Sequence, residues 1–449
     1  MNIHFIGIGG ISMSGLAAIC LDLGDRVSGS DKIKNPEIDM LTQKGATVSL
    51  NHHRDNLPHD TDMVIYTAAI RSDNPELLKA QELGIKTMDR AHFLGYLMAQ
   101  HKFGIAVSGT HGKTSTTSML STIFLNSEFN PTISIGGNLK EIGGNYKIGS
   151  DDFFITEACE YVDSFLSLNP MHAIILNIEH EHIDYFKTLE QEIKSFRTFA
   201  SSVPLEGKVI ANGDDKNVLQ ALEGLPNVVY FGFEPHNNCV ISDYEVLPFG
   251  SRFSLTLDGT HLGVFEINVI GRFNVLNASA SILSAYFAGV EKDLIKKGIA
   301  AYHGVGRRFE KKGVYKGAQV FDDYAHHPSE VRATLSAAKD LEKNRLITVF
   351  QPHTFSRTFS LMAEFEESFD DTDMLILTDI YPSREIDSGY VHSTDLYERL
   401  KKRLSNVCYM GSNEDIVNYL ASTVENGDII VAMGAGDINK LSQSLINQK

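Results

Sequence analysis

The segment that most constrains the fold of this chain is VSGTHGKTS, at residues 107–115. A short apolar run precedes it at 103–107, and Met119, Leu120 and Ile123 follow it at helical spacing. The pattern therefore predicts a strand, a glycine turn and a helix. In that geometry the backbone N–H groups of the turn approach phosphate oxygens, and the helix N-terminus favours negative charge. The segment predicts a nucleotide-binding domain of the α/β class.

Two side chains in the turn indicate how the phosphates are held. Lys113 is placed to reach the terminal phosphates of a nucleoside triphosphate, and the Thr114 hydroxyl is placed to hold Mg²⁺. The strict pattern for such a loop has glycine where this chain has Val107, so the loop is a variant. The alternative is a glycine turn that only caps a helix. We predict that a nucleoside triphosphate contacts Gly109, Thr110, His111, Gly112, Lys113, Thr114 and Ser115.

Length and charge limit the possible partners. A chain of 449 residues is expected to form about three domains of roughly 150 residues each. Its 40 basic and 57 acidic residues give a net charge of −17, which disfavours nucleic acid or an anionic membrane as the main partner. The four cysteines lie far apart, and no signal peptide or long apolar run occurs. We therefore expect a soluble cytoplasmic protein without disulfides.

A second glycine turn lies near the start of the chain, where GIGGISMSG occupies residues 7–15. A strand precedes it, and a helix and a second strand ending at Asp31 follow, which is the order of half a dinucleotide-binding unit. Ser12 stands where that unit has its third glycine. Three interpretations remain open, namely a nicotinamide site, a turn for another diphosphate, or a turn without a ligand.

Acidic residues and histidines follow two predicted strands of the central region. The apolar run at 153–156 is closed by Glu157, where a nucleotide-binding protein of this kind needs a carboxylate for Mg²⁺. A second strand at 173–178 runs into EHEH at 179–182. If that strand continues, His180 and His182 share one face. Three alternatives are open for these residues. The two histidines form a transition-metal site, they belong to a solvated loop, or His182 alone helps to hold a divalent ion that is bound to phosphate.

The rest of the central region predicts a hairpin and a helix. Residues 253–270 alternate apolar and polar side chains around Asp258 and Gly259, as a hairpin does. Asn274 and Asn277 then lie one turn apart at the start of an alanine-rich helix. They are either helix caps or amides that face a ligand.

The glycines at 304–306 mark a second boundary, after which strands and helices alternate. Such alternation predicts a parallel sheet covered by helices. Polar clusters follow three of these strands, at 322–328, 351–357 and 434–437.

Taken in order, these motifs resemble the Mur ligases, the ATP-dependent amide-forming enzymes of bacterial cell-wall precursor synthesis. Among these, the chain is most similar to the branch that adds L-alanine to UDP-N-acetylmuramate. The resemblance implies an α/β protein with three domains. By this resemblance, a Rossmann-like domain at 1–100 is expected to bind the UDP-sugar, and a central P-loop ATPase-type domain with a mixed sheet at 101–306 is expected to bind ATP. A Rossmann-like domain at 307–449 is expected to bind the amino acid and to close over ATP.

The resemblance also implies roles for individual residues. Those expected at the reacting groups are Lys113, Glu157, His182, His353 and Arg357. Those expected to hold Mg²⁺ are Thr114, Glu157 and His182. Besides the phosphate loop, the expected ATP contacts are Asn274, Asn277, Arg308 and Asp322. The expected UDP-sugar contacts are Gly9, Gly10, Ser14, Asp31, Asn138, Glu160 and Tyr324.

This sequence departs from the family pattern at three positions. Phe273 and Glu181 replace a histidine and an aspartate that many members have, and neither change removes an assigned ligand. Thr354 replaces an arginine, which removes one possible partner of the amino acid's carboxylate.

The reaction that the resemblance implies passes through an acyl phosphate and releases ADP and phosphate. UDP-N-acetylmuramate and L-alanine are the expected substrates, and the protein is expected to be a monomer or a homodimer. Three other functions remain possible: a sister ligase that attaches a preformed peptide, an NAD-dependent oxidoreductase, and a non-catalytic nucleotide-binding regulator.

Overall fold

The computed structural model describes residues 1–67, 69–150, 152–182, 185–248, 250–383 and 385–447. The strands form three sheets, of five, ten and six strands. The chain divides into two compact units. The first contains residues 1–244, 252–267 and 276–302, and the second contains residues 245–251, 268–275 and 303–449. The predicted three-domain α/β architecture is confirmed by the three sheets, and the domain boundaries stay a prediction.

The first sheet is parallel and consists of strands that alternate with helices. Its elements are β1 (Asn2–Ile6), α1 (Ile11–Asp22), β2 (Arg26–Ser30), α2 (Pro36–Gln43), β3 (Thr47–Ser49), β4 (Met63–Tyr66), α3 (Pro75–Glu82), β5 (Lys86–Asp89) and α4 (Arg90–Met98). The strand order is β3-β2-β1-β4-β5. β1 is the central strand, with β2 and β3 on one side of it and β4 and β5 on the other. In such sheets ligands bind at the carboxyl end of the central strands, where the strand order reverses. At β1 this end carries the first glycine turn.

The second sheet is mixed, as predicted for the central region. Its first elements are β6 (Phe103–Ser108), α5 (Lys113–Leu125), β7 (Thr132–Leu139), β8 (Gly144–Lys147), β9 (Phe153–Glu157), β10 (His172–Ile175), α6 (Leu189–Ser201), β11 (Lys208–Asn212), α7 (Lys216–Leu222) and β12 (Val228–Gly232). Its remaining elements are β13 (Cys239–Leu247), β14 (Gly250–Leu257), β15 (Thr260–Ile267), α8 (Arg272–Phe287) and α9 (Lys292–Ala300).

The strand order of this sheet is β15-β14-β13-β12-β11-β10-β6-β9-β7-β8. β6 lies between β10 and β9 and is parallel to both, whereas β8 is antiparallel to β7. The predicted hairpin is present, since Asp258 and Gly259 join β14 to β15 with positive φ angles of 45° and 78°. β10 ends at Ile175, so the condition that would place His180 and His182 on one strand face is not met.

The third sheet confirms the predicted alternation after residue 306. Its elements are β16 (Glu310–Tyr315), β17 (Ala318–Asp323), α10 (Pro328–Lys339), β18 (Leu346–Phe350), α11 (Phe355–Ser360), α12 (Met362–Glu366), β19 (Met374–Leu377), α13 (Ser393–Leu400), β20 (Val407–Tyr409), α14 (Asn413–Thr423), β21 (Ile429–Met433) and α15 (Asn439–Asn447). The order is β16-β17-β21-β18-β19-β20, and the edge strand β16 is antiparallel to β17. Between β18 and β19 the helical segment is broken into two short helices, α11 and α12.

Within the first unit, the first sheet packs closely against the central one. A Cβ added at Gly95 in α4 would lie 2.1 Å from the carbonyl oxygen of Ser167, so only glycine fits there. The buried amide of Asn145 in β8 donates to the carbonyl oxygen of Ile11, at 2.5 Å. These contacts bring the first glycine turn and the central sheet together.

Two further observations concern the chain as a whole. All four cysteines are free. Within the described ranges, no helix combines the length and the apolar character needed to cross a bilayer.

Candidate active site

The phosphate loop between β6 and α5 is held in shape by the segment that follows β10. Gly109 and Gly112 have φ angles of 138° and 85°, which favour glycine. The Asn177 side chain accepts the N–H of His111 at 2.8 Å and donates to its carbonyl oxygen at 3.2 Å. The N–H of Thr110 donates to the carbonyl oxygen of Asn177 at 3.1 Å. The loop conformation is therefore built by a neighbouring strand connection and not by its own glycines alone.

Lys113 is the first residue of α5, and its ammonium group turns back under the loop. Its Nζ donates to the carbonyl oxygens of Gly109 and Thr110, at 2.5 and 3.1 Å, and to Oε2 of Glu160 at 3.0 Å. Burial favours a lower pKa for Lys113, but the attraction of Glu160 outweighs it and the pKa is raised. Burial likewise favours a higher pKa for Glu160, but Lys113 and His182 outweigh it and that pKa is lowered. Both groups are therefore charged at neutral pH.

Glu157 and His182 lie beside this ion pair. Glu157 ends β9, its Oε1 accepts the N–H of Gly136 at 2.7 Å, and its charge acts on Lys113. His182 has a φ angle of 52°, and its Nε2 lies 3.5 Å from Oε1 of Glu160. The structure thus brings Lys113, Glu157, Glu160 and His182 to one edge of the central sheet. Asp184, two residues after His182 in the sequence, lies outside the described residues.

The predicted Mg²⁺ ligands have suitable chemistry. The half-buried Thr114 on the first turn of α5 and the Glu157 carboxylate offer the hard oxygen atoms that Mg²⁺ prefers. The His182 imidazole offers a nitrogen. His180 makes a different contact, since its Nε2 lies 3.1 Å from the carbonyl oxygen of Phe186. The two histidines are therefore engaged separately.

The two predicted adenine contacts are placed differently. A Cβ added at Gly112 would lie only 2.7 Å from Oδ1 of Asn277, so the Asn277 amide lies directly against the phosphate loop. Asn274 donates its side-chain N–H to the carbonyl oxygen of Ile270 at 2.8 Å, as a residue at a helix start does.

Ser115, the last residue of the predicted phosphate loop, lies on the first turn of α5 and is buried.

The first glycine turn is fixed by two polar side chains. Oδ2 of Asp31 accepts the N–H of Gly9 at 2.9 Å, and the Asn35 side chain donates to the carbonyl oxygen of Gly9 at 2.8 Å. A Cβ added at Gly9 would lie 3.0 Å from both side chains. Gly10 follows as the residue preceding α1, and no side chain caps that helix. The first backbone N–H groups of α1 are therefore available to another acceptor.

The other residues predicted to bind the sugar nucleotide vary in exposure. The buried Ser14 hydroxyl donates to the carbonyl oxygen of Ile11 at 2.9 Å, inside its own helix. Asn138 is exposed on β7, two residues after Gly136.

In the second unit, arginines and acids meet at the carboxyl edge of the third sheet. The guanidinium carbons of Arg307 and Arg308 lie 4.9 and 5.2 Å from the centre of the Tyr324 ring. Arg307 Nε lies 3.6 Å from Oδ2 of Asp322, whereas Arg308 Nη1 lies 3.5 Å from Oε1 of Glu330. Burial raises the pKa of Asp322 to about 6, although Arg307 opposes the rise. Asp322 thus pairs with Arg307, to which the sequence analysis assigned no role.

His353 and Arg357, predicted near the amino acid, lie together. Arg357 Nη1 is 3.0 Å from Nδ1 of His353. Because a guanidinium only donates, Nδ1 accepts, and a neutral His353 carries its proton on Nε2. The His353 ring stacks with Tyr381 at a centroid distance of 5.8 Å. Thr354, between them in sequence, has a φ angle of 65°.

Sequence reasoning assigned no role to three residues that shape these sites, namely Asn177, Asn35 and Glu385. Glu385 accepts the N–H groups of Phe355 and Ser356, at 2.7 and 3.0 Å, and so ties its own loop to α11, which carries Arg357. Only Asn177 left a signal in the sequence, because it directly follows an apolar strand.

Three family models match the chain, in the order of the three sheets. The Mur ligase family, catalytic domain matches residues 2–102, the Mur ligase middle domain matches residues 107–285, and the Mur ligase, glutamate ligase domain matches residues 307–436.

Full-length relatives agree with these matches. The chain is 47% identical to the UDP-N-acetylmuramate–L-alanine ligase of Acetivibrio thermocellus, over 100% of this chain and 96% of the relative. It is 45% identical to the enzyme of the same name from Caldanaerobacter subterraneus, over 100% and 97%. A solved structure of UDP-N-acetylmuramate-alanine ligase from Thermotoga maritima superposes with a TM-score of 0.84 at 26% identity, covering 100% of this chain and 99% of that one.

Proposed function

The chain belongs to the Mur ligase family, and from this membership we propose that it joins L-alanine to the carboxylate of UDP-N-acetylmuramate, with conversion of ATP to ADP and phosphate, in peptidoglycan precursor synthesis. The relatives that share 45–47% of its residues over its full length carry this activity in their names. The observation that carries the chemistry is the position of Lys113, held 3.0 Å from Glu160 beneath the phosphate loop, with Glu157 and His182 alongside.

The reaction requires activation because a carboxylate is a poor electrophile. A carboxylate oxygen of the muramoyl group attacks the γ-phosphorus of ATP, the bond to the bridging oxygen breaks, and ADP leaves. The amine of L-alanine then attacks the acyl carbon, loses a proton and expels phosphate, which leaves an amide. Water competes with the amine, so the residues must hold the reacting groups close together and keep water away.

Lys113 is the residue that we place on the transferring phosphoryl group. In the present conformation, Glu160 and two loop carbonyl oxygens occupy its three N–H donors. A γ-phosphate bound at the loop offers oxygens of higher charge, so Lys113 exchanges these partners for the phosphate when ATP binds. The charge of Lys113 then stabilises the transferring phosphoryl group.

We assign the Mg²⁺ ligands to Thr114, Glu157 and His182. When bound, Mg²⁺ supplies positive charge that offsets the repulsion between the ATP phosphates and the attacking carboxylate. Glu157 is pre-positioned for this role because the N–H of Gly136 fixes one of its oxygens.

The other substrates are assigned to the other two sheets. We place the UDP diphosphate at Gly9 and Gly10. The other contacts to the sugar nucleotide are assigned to Ser14, Asp31, Asn138, Glu160 and Tyr324. The amino acid carboxylate is assigned to His353 and Arg357. The domain limits at 100 and 306 belong to the same proposal. We also propose that the protein works in the cytoplasm as a monomer or a homodimer, without a nucleic acid or membrane partner.

A phosphate-release assay tests this function. With ATP, Mg²⁺ and UDP-N-acetylmuramate, we expect continuous phosphate release only when L-alanine is added. Release that requires a tripeptide in place of L-alanine would assign the chain to the sister ligases. Binding of NADH at the first glycine turn, without binding of the UDP-sugar, would contradict the proposal altogether.

A further inference from the structure

An arginine that no motif singled out lies at the carboxyl edge of the first sheet. Arg90 is the first residue of α4 and directly follows β5. Asp89 caps this helix by accepting the N–H of His92 at 2.9 Å, which fixes the direction in which the helix starts. From there the guanidinium Nη1 of Arg90 reaches the hydroxyl of Ser12 at 3.3 Å. The side chain therefore spans from β5 to the first glycine turn.

The charge of Arg90 is not neutralised by a neighbouring acid. Among the described residues, no carboxylate lies within ion-pair distance of this half-buried side chain, and its hydrogen-bond partner is a neutral hydroxyl. Removing a charge from water without an opposite charge is unfavourable. An anionic ligand beside Ser12 would supply the missing charge.

The helix that carries Arg90 also packs against the central region. A Cβ added at Gly95 in α4 would lie 2.1 Å from the carbonyl oxygen of Ser167, which follows β9 in the chain. Arg90 therefore contacts the first glycine turn from a helix that also contacts the central region.

We propose that Arg90 binds the diphosphate of the sugar nucleotide. This inference rests on the function proposed above and adds a substrate-binding residue to it. The turn at 7–15 contains no lysine or arginine, so its own contribution to an anion is limited to backbone N–H groups and the dipole of α1. In a chain of net charge −17, a local cation is needed to attract an anionic substrate. A planar guanidinium also binds two phosphate oxygens at once.

Titration calorimetry on the full-length protein tests the inference with two ligands. UDP-N-acetylmuramate and UDP-N-acetylglucosamine share the diphosphate, but only the first has a carboxylate. We expect Arg90→Ala to weaken the binding of both ligands by about tenfold to a hundredfold, as for loss of a charge-assisted contact. Arg90→Lys, which keeps the positive charge but loses the planar group that binds two phosphate oxygens at once, is expected to recover part of the affinity. The KM for ATP should not change.

Arg54→Ala is a matched control, because Arg54 belongs to the same sheet region, is exposed and pairs with Glu82. We expect it to leave both affinities unchanged. Unchanged affinities in Arg90→Ala would overturn the inference, and a loss confined to UDP-N-acetylmuramate would overturn it by moving Arg90 to the carboxylate. An equal loss toward ATP would indicate general damage to the fold and would also count against it. If the unaltered protein binds neither sugar nucleotide, the proposed function fails as well, whereas normal binding with an unaffected Arg90→Ala variant leaves that function intact.

Discussion

The two glycine turns of the first unit have the same local plan but different surroundings. Each follows a parallel strand and precedes a helix, β1 and α1 in one case and β6 and α5 in the other. At the first turn, Asp31 and Asn35 hold the backbone of Gly9. At the second, Asn177 holds the backbone of His111, and a lysine lies beneath the loop.

The two turns differ in whether their charged side chain, Asp31 at the first and Lys113 at the second, is able to exchange its partners for a ligand. The carboxylate at the first turn is occupied by backbone N–H groups, because Asp31 accepts the N–H of Gly9 and that of Lys32, the latter at 2.7 Å. The ammonium at the second turn is bound to a carboxylate and two carbonyl oxygens that a phosphate is able to replace. The first turn is therefore suited to binding, and the second is suited to chemistry.

The largest effect is expected at the charge of the second turn. Lys113→Ala should lower turnover by about a thousandfold or more, since it removes the cation assigned to the transferring phosphoryl group. ADP release measures this loss, and circular dichroism checks that the fold is intact. Lys102→Ala, on an exposed side chain paired with Asp152, is the control. Normal turnover in Lys113→Ala would remove the distinction between the turns.

A smaller effect is expected from the clamp on the second turn. Asn177→Ala removes two hydrogen bonds to His111 and should lower kcat/KM for ATP by about tenfold to a hundredfold. Steady-state kinetics with varied ATP measures the change. Asn227→Ala, which removes hydrogen bonds to the carbonyl oxygens of Pro204 and Gly207 elsewhere in the same sheet region, should leave the ATP kinetics unchanged. Equal effects of the two variants would show that the loop holds its shape without Asn177.

At the first turn, substitution should affect binding of one substrate only. Asp31 accepts three backbone N–H groups, those of Gly9, Lys32 and Ile33, and Asp31→Asn leaves at least one of them without an acceptor, so the KM for the sugar nucleotide is expected to rise by about threefold to tenfold. The kcat and the KM for ATP should be retained. Asp39→Asn, which alters an exposed carboxylate near Lys34, serves as the control. A drop in kcat at saturating substrate would contradict a purely binding role.

The smallest effect on turnover concerns the sheets beneath the turns, where each sheet buries a histidine in a different environment. Under the first turn, His4 lies 2.8 Å from the buried carboxylate of Glu76; burial favours a higher pKa for Glu76, but its hydrogen bonds outweigh this and the pKa is lowered. Under the second, burial lowers the pKa of His172 to about 4 from an ordinary 6.5. The unfolded chain therefore takes up a proton below pH 6.5 that native His172 takes up only near pH 4, so stability falls as the pH drops through that range.

His172→Gln removes this titration and should have normal turnover at pH 7.5. Between pH 6.5 and 4.5, the free energy of unfolding of the unaltered protein should fall about 2 kcal/mol more than that of the variant. Urea unfolding at several pH values measures the difference. Parallel pH profiles for the two proteins would mean that His172 does not link the central sheet to acid.

Local patterns predicted much of the fold and part of the site. The strand, turn and helix around Lys113, the hairpin at Asp258 and the alternation after residue 306 all depend on neighbours in sequence, so periodicity and glycine placement were sufficient. The edge strand β16 and the break between α11 and α12 were not predicted, because they depend on packing within the third sheet. The same limit applied to the ion pair of Asp322 with Arg307, because the two residues come from different segments of the chain.

The sequence by itself determined that this chain has a phosphate loop with Lys113, a second glycine turn, acids and histidines after its strands, and motifs in the order of the Mur ligases. Only the tertiary structure decided that Lys113 lies against Glu160, that Asn177 clamps the loop, and that Arg90 reaches Ser12 from β5. The physical reason is that glycine turns and helices form through contacts between near neighbours. The partners of a buried charge come from whichever strand connections the folded sheet places beside it.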